Sequence, residues 1–201
     1  MAVPDQDNIY CFPGTDILRN IYTERDPENL EKLERMLSGA RLVDLLKKPI
    51  KGHFDVKHLK KIHHYLFQDI YSWAGKFRIC DISKGVHFCK AEFIEKELGK
   101  LFAKLKEENY LENLNEDALF SRAAFYLGEI NAIHPFRDGN GRTQREFIRE
   151  LMLARGYKLD YSRCDPKMML SASIDSFAGD NTLMIELIKI CTIRCTMSPK
   201  L

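Results

Sequence analysis

Residues His134-Pro135-Phe136-Arg137-Asp138-Gly139-Asn140-Gly141-Arg142-Thr143-Gln144-Arg145 place a base, a carboxylate, an amide between two glycines and two guanidinium groups in one short stretch. An imidazole titrates near pH ~6.5, so His134 suits proton removal from a hydroxyl at neutral pH. Asp138 is a hard oxygen ligand, and one carboxylate completed by phosphate oxygens and water is a normal way to hold Mg²⁺. Gly139-Asn140-Gly141 stands where a helix begins. The unpaired N–H groups at such a start face an anion, and the helix dipole favours negative charge there. The Asn140 amide adds two more donors. Arg142 and Arg145, three apart on one helical face, can fork onto the same polyphosphate. A lone histidine beside a proline, a lone Gly-Asn-Gly turn or two helical arginines would be ordinary structure. Their conjunction reads as a phosphoryl- or nucleotidyl-transfer site.

The elements that must position this loop read as mostly helical. Asp26-Pro27-Glu28 is a helix start, and Leu30, Leu33, Leu37, Ala40 and Leu45 continue the apolar stripe. Asp55 caps a second helix with Leu59, Ile62, Leu66, Phe67 and Ile70 on one face, expected to end at Trp73-Ala74-Gly75. Phe77, Ile79 and Ile82, then Val86 and Phe88 after Lys84-Gly85, predict two short strands around a turn. Further helices are expected at about 91–105, 115–132, 141–155, 166–178 and 182–195. Pro135 should hold the His134 backbone extended. The expected architecture is all-α with one small β-hairpin: an irregular arm over 1–25 and a single domain over 26–201.

Composition narrows the function classes. Among 201 residues, 31 are Lys or Arg and 29 Asp or Glu, so the net charge of +2 argues against a nucleic-acid or membrane surface. Apolar residues make up 45%, enough for a core. No apolar run is long enough to span a bilayer, and Met1-Ala2-Val3-Pro4-Asp5 does not read as a secretory signal. The six cysteines (Cys11, Cys80, Cys89, Cys164, Cys191 and Cys195) are therefore expected to be reduced, with Cys191 and Cys195 as buried small side chains.

The twelve-residue stretch resembles the signature of the Fic family, His-Pro-Phe-x-(Asp/Glu)-Gly-Asn-Gly-Arg-x-x-Arg, at every specified position. Tyr71-Ser72-Trp73-Ala74-Gly75-Lys76-Phe77-Arg78 is similar to the segment before the family's target-docking flap, and Asn8–Thr15 to the arm that precedes the domain. The resemblance spans roughly 8–195. It implies the Fic fold, a helical bundle with a β-hairpin flap beside the active-site loop. It implies transfer of AMP from ATP to a Tyr, Ser or Thr hydroxyl of a target protein, with release of pyrophosphate. His134 would be the base, Asp138 the Mg²⁺ ligand, and Gly139, Asn140 and Gly141 the anion nest. Arg142 would pair with phosphate oxygens and Arg145 with the γ-phosphate. Lys84, Gly85, Val86, His87 and Phe88 would form the flap, with Lys84 and Gly85 also beside the nucleotide. Family members that act as kinases carry Lys at the Gly141 position, so Gly141 favours AMP transfer. Other donors (GMP, UMP or phosphocholine) and a silent ATP-binding module are the alternatives.

Toxin-like and effector-like members suggest bacterial topoisomerase subunits or host small GTPases as targets. They also suggest action in the bacterial cytoplasm or in a host cytosol. Many members carry an inhibitory (Ser/Thr)-x-x-x-Glu-(Gly/Asn) helix. The nearest stretch, Thr182-Leu183-Met184-Ile185-Glu186-Leu187, departs at its last residue. The resemblance then implies that a separate small antitoxin supplies the inhibitory helix.

Overall fold

Side-chain caps set where the helices begin. In the computed structural model, which describes residues 9–83, 85 and 87–194, Asp26 accepts from the Asn29 N–H at 2.9 Å and starts α1 (Pro27–Lys47). Asp55 accepts from His58 N–H and starts α2 (Val56–Phe67). A short 3₁₀ turn leads into α3 (Ile94–Glu107). Asn115 caps α4 (Glu116–Ile133), and Gly139 stands before α5 (Asn140–Ala154). Strand β1 (Tyr157–Leu159), helices α6 (Pro166–Phe177) and α7 (Thr182–Cys191), and strand β2 (Thr192–Arg194) complete the described chain.

The core lies between α2, α4 and α5. Leu59, Ile62 and Phe67 of α2, Ala123 of α4, and Phe147 and Leu151 of α5 are fully enclosed. Helix α3 closes one side through Leu98 and Leu105, and α7 the other through Leu187 and Ile188. Helix α5 is buried nearly all round, and its Glu146, Arg149 and Glu150 are enclosed too. They are tolerated because they are paired: Arg149 forks onto Glu146 at 2.7 and 2.6 Å, and Glu150 lies 2.7 Å from His58 Nε2. Helix α1 is amphipathic only in part. Leu30 and Leu45 are buried, whereas Ala40 is exposed.

Three expectations need correction. The sheet pairs β1 with β2 antiparallel, Lys158 opposite Ile193, where a helix was expected to run on to residue 195. Thr192 and Ile193 are β-branched and leave the helix as soon as an edge is available. The 76–89 segment has no strand ladder among the described residues. Its turn at Gly85 (φ +73°) is flanked by a single antiparallel bridge, Ser83 to His87. His134 is not extended but left-handed (φ +49°, ψ +62°). Its N–H still closes α4 onto Ile130 at 3.0 Å, and this last helical bond outweighs the preference imposed by Pro135. The described cysteines are free thiols, and Cys195 lies outside the described residues.

Candidate active site

The end of α4, the loop 134–139 and the start of α5 form one side of a cavity of about 760 Å³. His134, Asp138, Gly139, Asn140, Gly141, Arg142 and Arg145 all line it. Leu42 of α1, Tyr161 and Cys164 beyond β1, and Met169, Leu170, Ile174 and Phe177 of α6 complete the wall.

The His134 ring has a defined tautomer. Its Nδ1 lies 3.2 Å from the Asn131 carbonyl, which can only accept, so Nδ1 carries the hydrogen and Nε2 the lone pair. Phe88 stacks on the ring at 3.9 Å. The left-handed backbone of His134 is held from outside. Arg78, fully buried, donates Nε to the His134 carbonyl at 2.8 Å, Nη1 to Cys80 O and Nη2 to Cys89 O and Ile133 O. One guanidinium thus joins both arms of the 80–89 turn to the end of α4, where the described residues form no strand ladder.

Helix α5 opens onto the cavity. Its first helical bond runs from Thr143 N–H to Gly139 O at 3.1 Å, so the N–H groups of Asn140, Gly141 and Arg142 have no acceptor within the helix. Gly139 is required twice over. Its φ is +76°, and a Cβ there would lie 2.4 Å from the Phe67 ring. The Asn140 side chain also braces the loop. It accepts from Phe136 N–H at 2.9 Å and donates to Phe136 O at 2.8 Å, closing the loop on itself. Its second amide hydrogen and its backbone N–H are not used in this closure.

The other groups differ in their company. Asp138 lines the cavity, and one carboxylate oxygen accepts from Gly139 N–H at 2.6 Å. Among the described residues no set of three His, Cys, Asp or Glu could hold a metal. A single carboxylate beside an anion nest fits Mg²⁺ that takes its other ligands from phosphate and water. Arg142 donates to Ser38 Oγ at 2.7 Å and to Glu34, and lies 4.6 Å above the Phe67 ring. Arg145 is half-buried, pairs with no carboxylate among the described residues, and its pKa is pushed down by desolvation.

Several positions escape sequence reasoning. Glu34 is one acid among several on α1, with no local sign of its role. His63 had a sign: it lies on the apolar face of α2, between Leu59 and Phe67. Its Nδ1 accepts from Gly75 N–H at 2.8 Å, its Nε2 donates to Asp138 O at 3.0 Å, and its ring stacks on Phe136 at 3.8 Å. Burial lowers its pKa to about 4. Of the flap residues, Phe88 reaches the cavity, Gly85 and His87 are exposed and do not line it, and Lys84 and Val86 lie outside the described residues. Glu186 is exposed on α7 and does not line the cavity.

Residues 53–152 match the Fic/DOC family. The chain is 42% identical over 172 residues to the Sinorhizobium fredii protein named probable protein adenylyltransferase y4lH, covering 85% of this chain and 88% of that one. It is 40% identical over 184 residues to protein adenylyltransferase VbhT of Bartonella schoenbuchensis, covering 90% of this chain and 38% of that longer protein. The N-terminal Fic domain of a VirB-translocated Bep effector protein from Bartonella quintana, solved with bound ADP, superposes with a TM-score of 0.90 at 29% identity, covering 94% of this chain and 96% of that one. The chain therefore belongs to the Fic/DOC family.

Proposed function

We infer that the chain is a protein adenylyltransferase that moves AMP from ATP onto a hydroxyl of a target protein. The carrying observation is the convergence on one cavity of the His134 ring, the N–H groups of Asn140 to Arg142 that have no acceptor within the helix, and the Arg145 cation, which has no carboxylate partner among the described residues. His134 takes the proton from the attacking hydroxyl. That oxygen bonds to the α-phosphorus, the bond to the β-phosphate oxygen breaks, and pyrophosphate leaves. The α5 N–H groups and Arg142 receive charge on the phosphates, and Arg145 receives the terminal phosphate. Asp138 would hold Mg²⁺, which supplies charge neutralisation along the polyphosphate when bound. Phe88 orients the His134 ring, and the segment at Gly85, His87 and Phe88 offers its backbone to the target as an added strand.

The target is a protein, with a topoisomerase subunit in the bacterial cytoplasm or a small GTPase in a host cytosol as the two candidates. Among the described residues no helix is long and apolar enough to cross a membrane. A separate small protein supplying an acidic helix to Arg145 is the proposed restraint, in keeping with the distance of Glu186 from the cavity. Incubation with Mg²⁺ and ATP labelled on the α-phosphate, in bacterial and animal lysates, tests the reaction. Protein label that vanishes in His134→Ala is the expected result. Label from the γ-phosphate alone would make the enzyme a kinase instead. Low activity of the isolated chain that rises in Glu186→Gly would remove the separate inhibitor.

A further inference from the structure

We propose that Glu34 is a positioning residue for Arg142, fixing its guanidinium against the cavity wall before nucleotide arrives. The proposal rests on the adenylyl-transfer reading. Glu34 and Arg142 lie 108 residues apart in the chain, and the Glu34 side chain is only 13% exposed. One carboxylate oxygen of Glu34 accepts from Arg142 Nη2 and the other from the Tyr71 hydroxyl. One turn along α1, Ser38 donates its hydroxyl hydrogen to the Glu34 carbonyl at 2.6 Å. This leaves the Ser38 oxygen to accept from Arg142 Nη1 at 2.7 Å. The Phe67 ring lies beneath. The guanidinium is thus held by a carboxylate, a hydroxyl and a ring face, each with its own partner already in place. A free arginine side chain loses rotamer freedom when it is held in one geometry. Here that ordering is completed during folding, so the nucleotide meets a fork already set. Arg145, one turn further along α5, has no such support.

A double-mutant cycle tests this, using Glu34→Ala, Glu34→Gln, Arg142→Ala and the Ala/Ala pair, with α-labelled ATP and Mg²⁺. Glu34→Ala is expected to lower kcat/KM for ATP about three- to tenfold, mostly through KM, the range set by one newly mobile long side chain. Glu34→Gln keeps an acceptor for Nη2 and stays within about twofold of wild type. Glu34→Ala adds no loss on top of Arg142→Ala. A rise in transfer with Glu34→Ala would overturn the proposal, since Glu34 would then compete with phosphate for the guanidinium. Additive losses would also overturn it and leave Glu34 a packing residue. Should Glu34→Ala not fold, Ser38→Ala carries the same cycle through the Nη1 contact. An unlabelled wild type counts against AMP transfer itself. ATP affinity by calorimetry then reads the same cycle and decides the Glu34 question independently.

Discussion

The two sides of the cavity are built on different principles, although one helix serves both. On the α1 and α2 side, Arg142 is paired with Glu34 and Ser38, and His63 joins Gly75 to Asp138, each polar group in a bonded partnership. On the α6 side, Arg145 is half-buried, has no carboxylate partner among the described residues and faces Tyr161 and Cys164, and the exposed Leu170 and Ile174 rim the opening. Arg142 and Arg145 are one turn apart on the same face of α5, yet one is braced by the fold and the other has no carboxylate partner among the described residues. The first side carries precision of placement. The second keeps a charge whose cost of burial only a bound anion relieves.

The largest expected effect separates chemistry from both sides. His134→Ala should reduce AMP transfer by about 10²–10⁴-fold with ATP affinity little changed, measured by label transfer and calorimetry. An affinity loss as large as the rate loss would mean that His134 holds the nucleotide rather than the proton. Acid should act next, and on the α2 side. His63 is neutral when folded, with a pKa near 4. Above pH ~6.5 both states are neutral and its contribution is intact. As pH falls towards 4 the unfolded chain takes up the proton first, so about 3 kcal/mol of stability is lost. Denaturation midpoints at pH 7.5 and 4.5, compared with His63→Gln, should show this loss, and an equal slope in the variant would refute it.

The arginine pair then gives the sharpest contrast. Arg145→Ala should weaken ATP binding about 10–100-fold while leaving the thermal midpoint equal or higher, because a desolvated unpaired cation is removed. Arg142→Ala should instead lower stability by about 1–3 kcal/mol, since Glu34 and Ser38 lose their partner. Matching stability changes in the two variants would erase the distinction. Gly139→Ala should cost about 1–3 kcal/mol through overpacking against Phe67. A chemical denaturation curve unchanged from wild type would show that the loop yields there.

The helical order, the Asp26 and Asp55 caps and the stretch from His134 to Arg145 were all legible in the sequence. Caps, periodicity and a dense motif are local signals, read from residues within a turn or two of one another. The 157–159 with 192–194 sheet was not legible, because its two strands are three residues each and lie far apart in the chain. Nor was the left-handed His134: a helical bond to Ile130 and the Arg78 guanidinium override the rule for the residue before proline. Asn140 shows the limit within the motif itself. Its residue type suggested a phosphate donor, and packing gives its amide a second task, closing the loop on Phe136. The sequence by itself determined which groups are available for chemistry and on which helix they stand. Tertiary structure alone decided which of them are already bonded, because Glu34, His63 and Arg78 reach the site only when distant segments pack and exclude water.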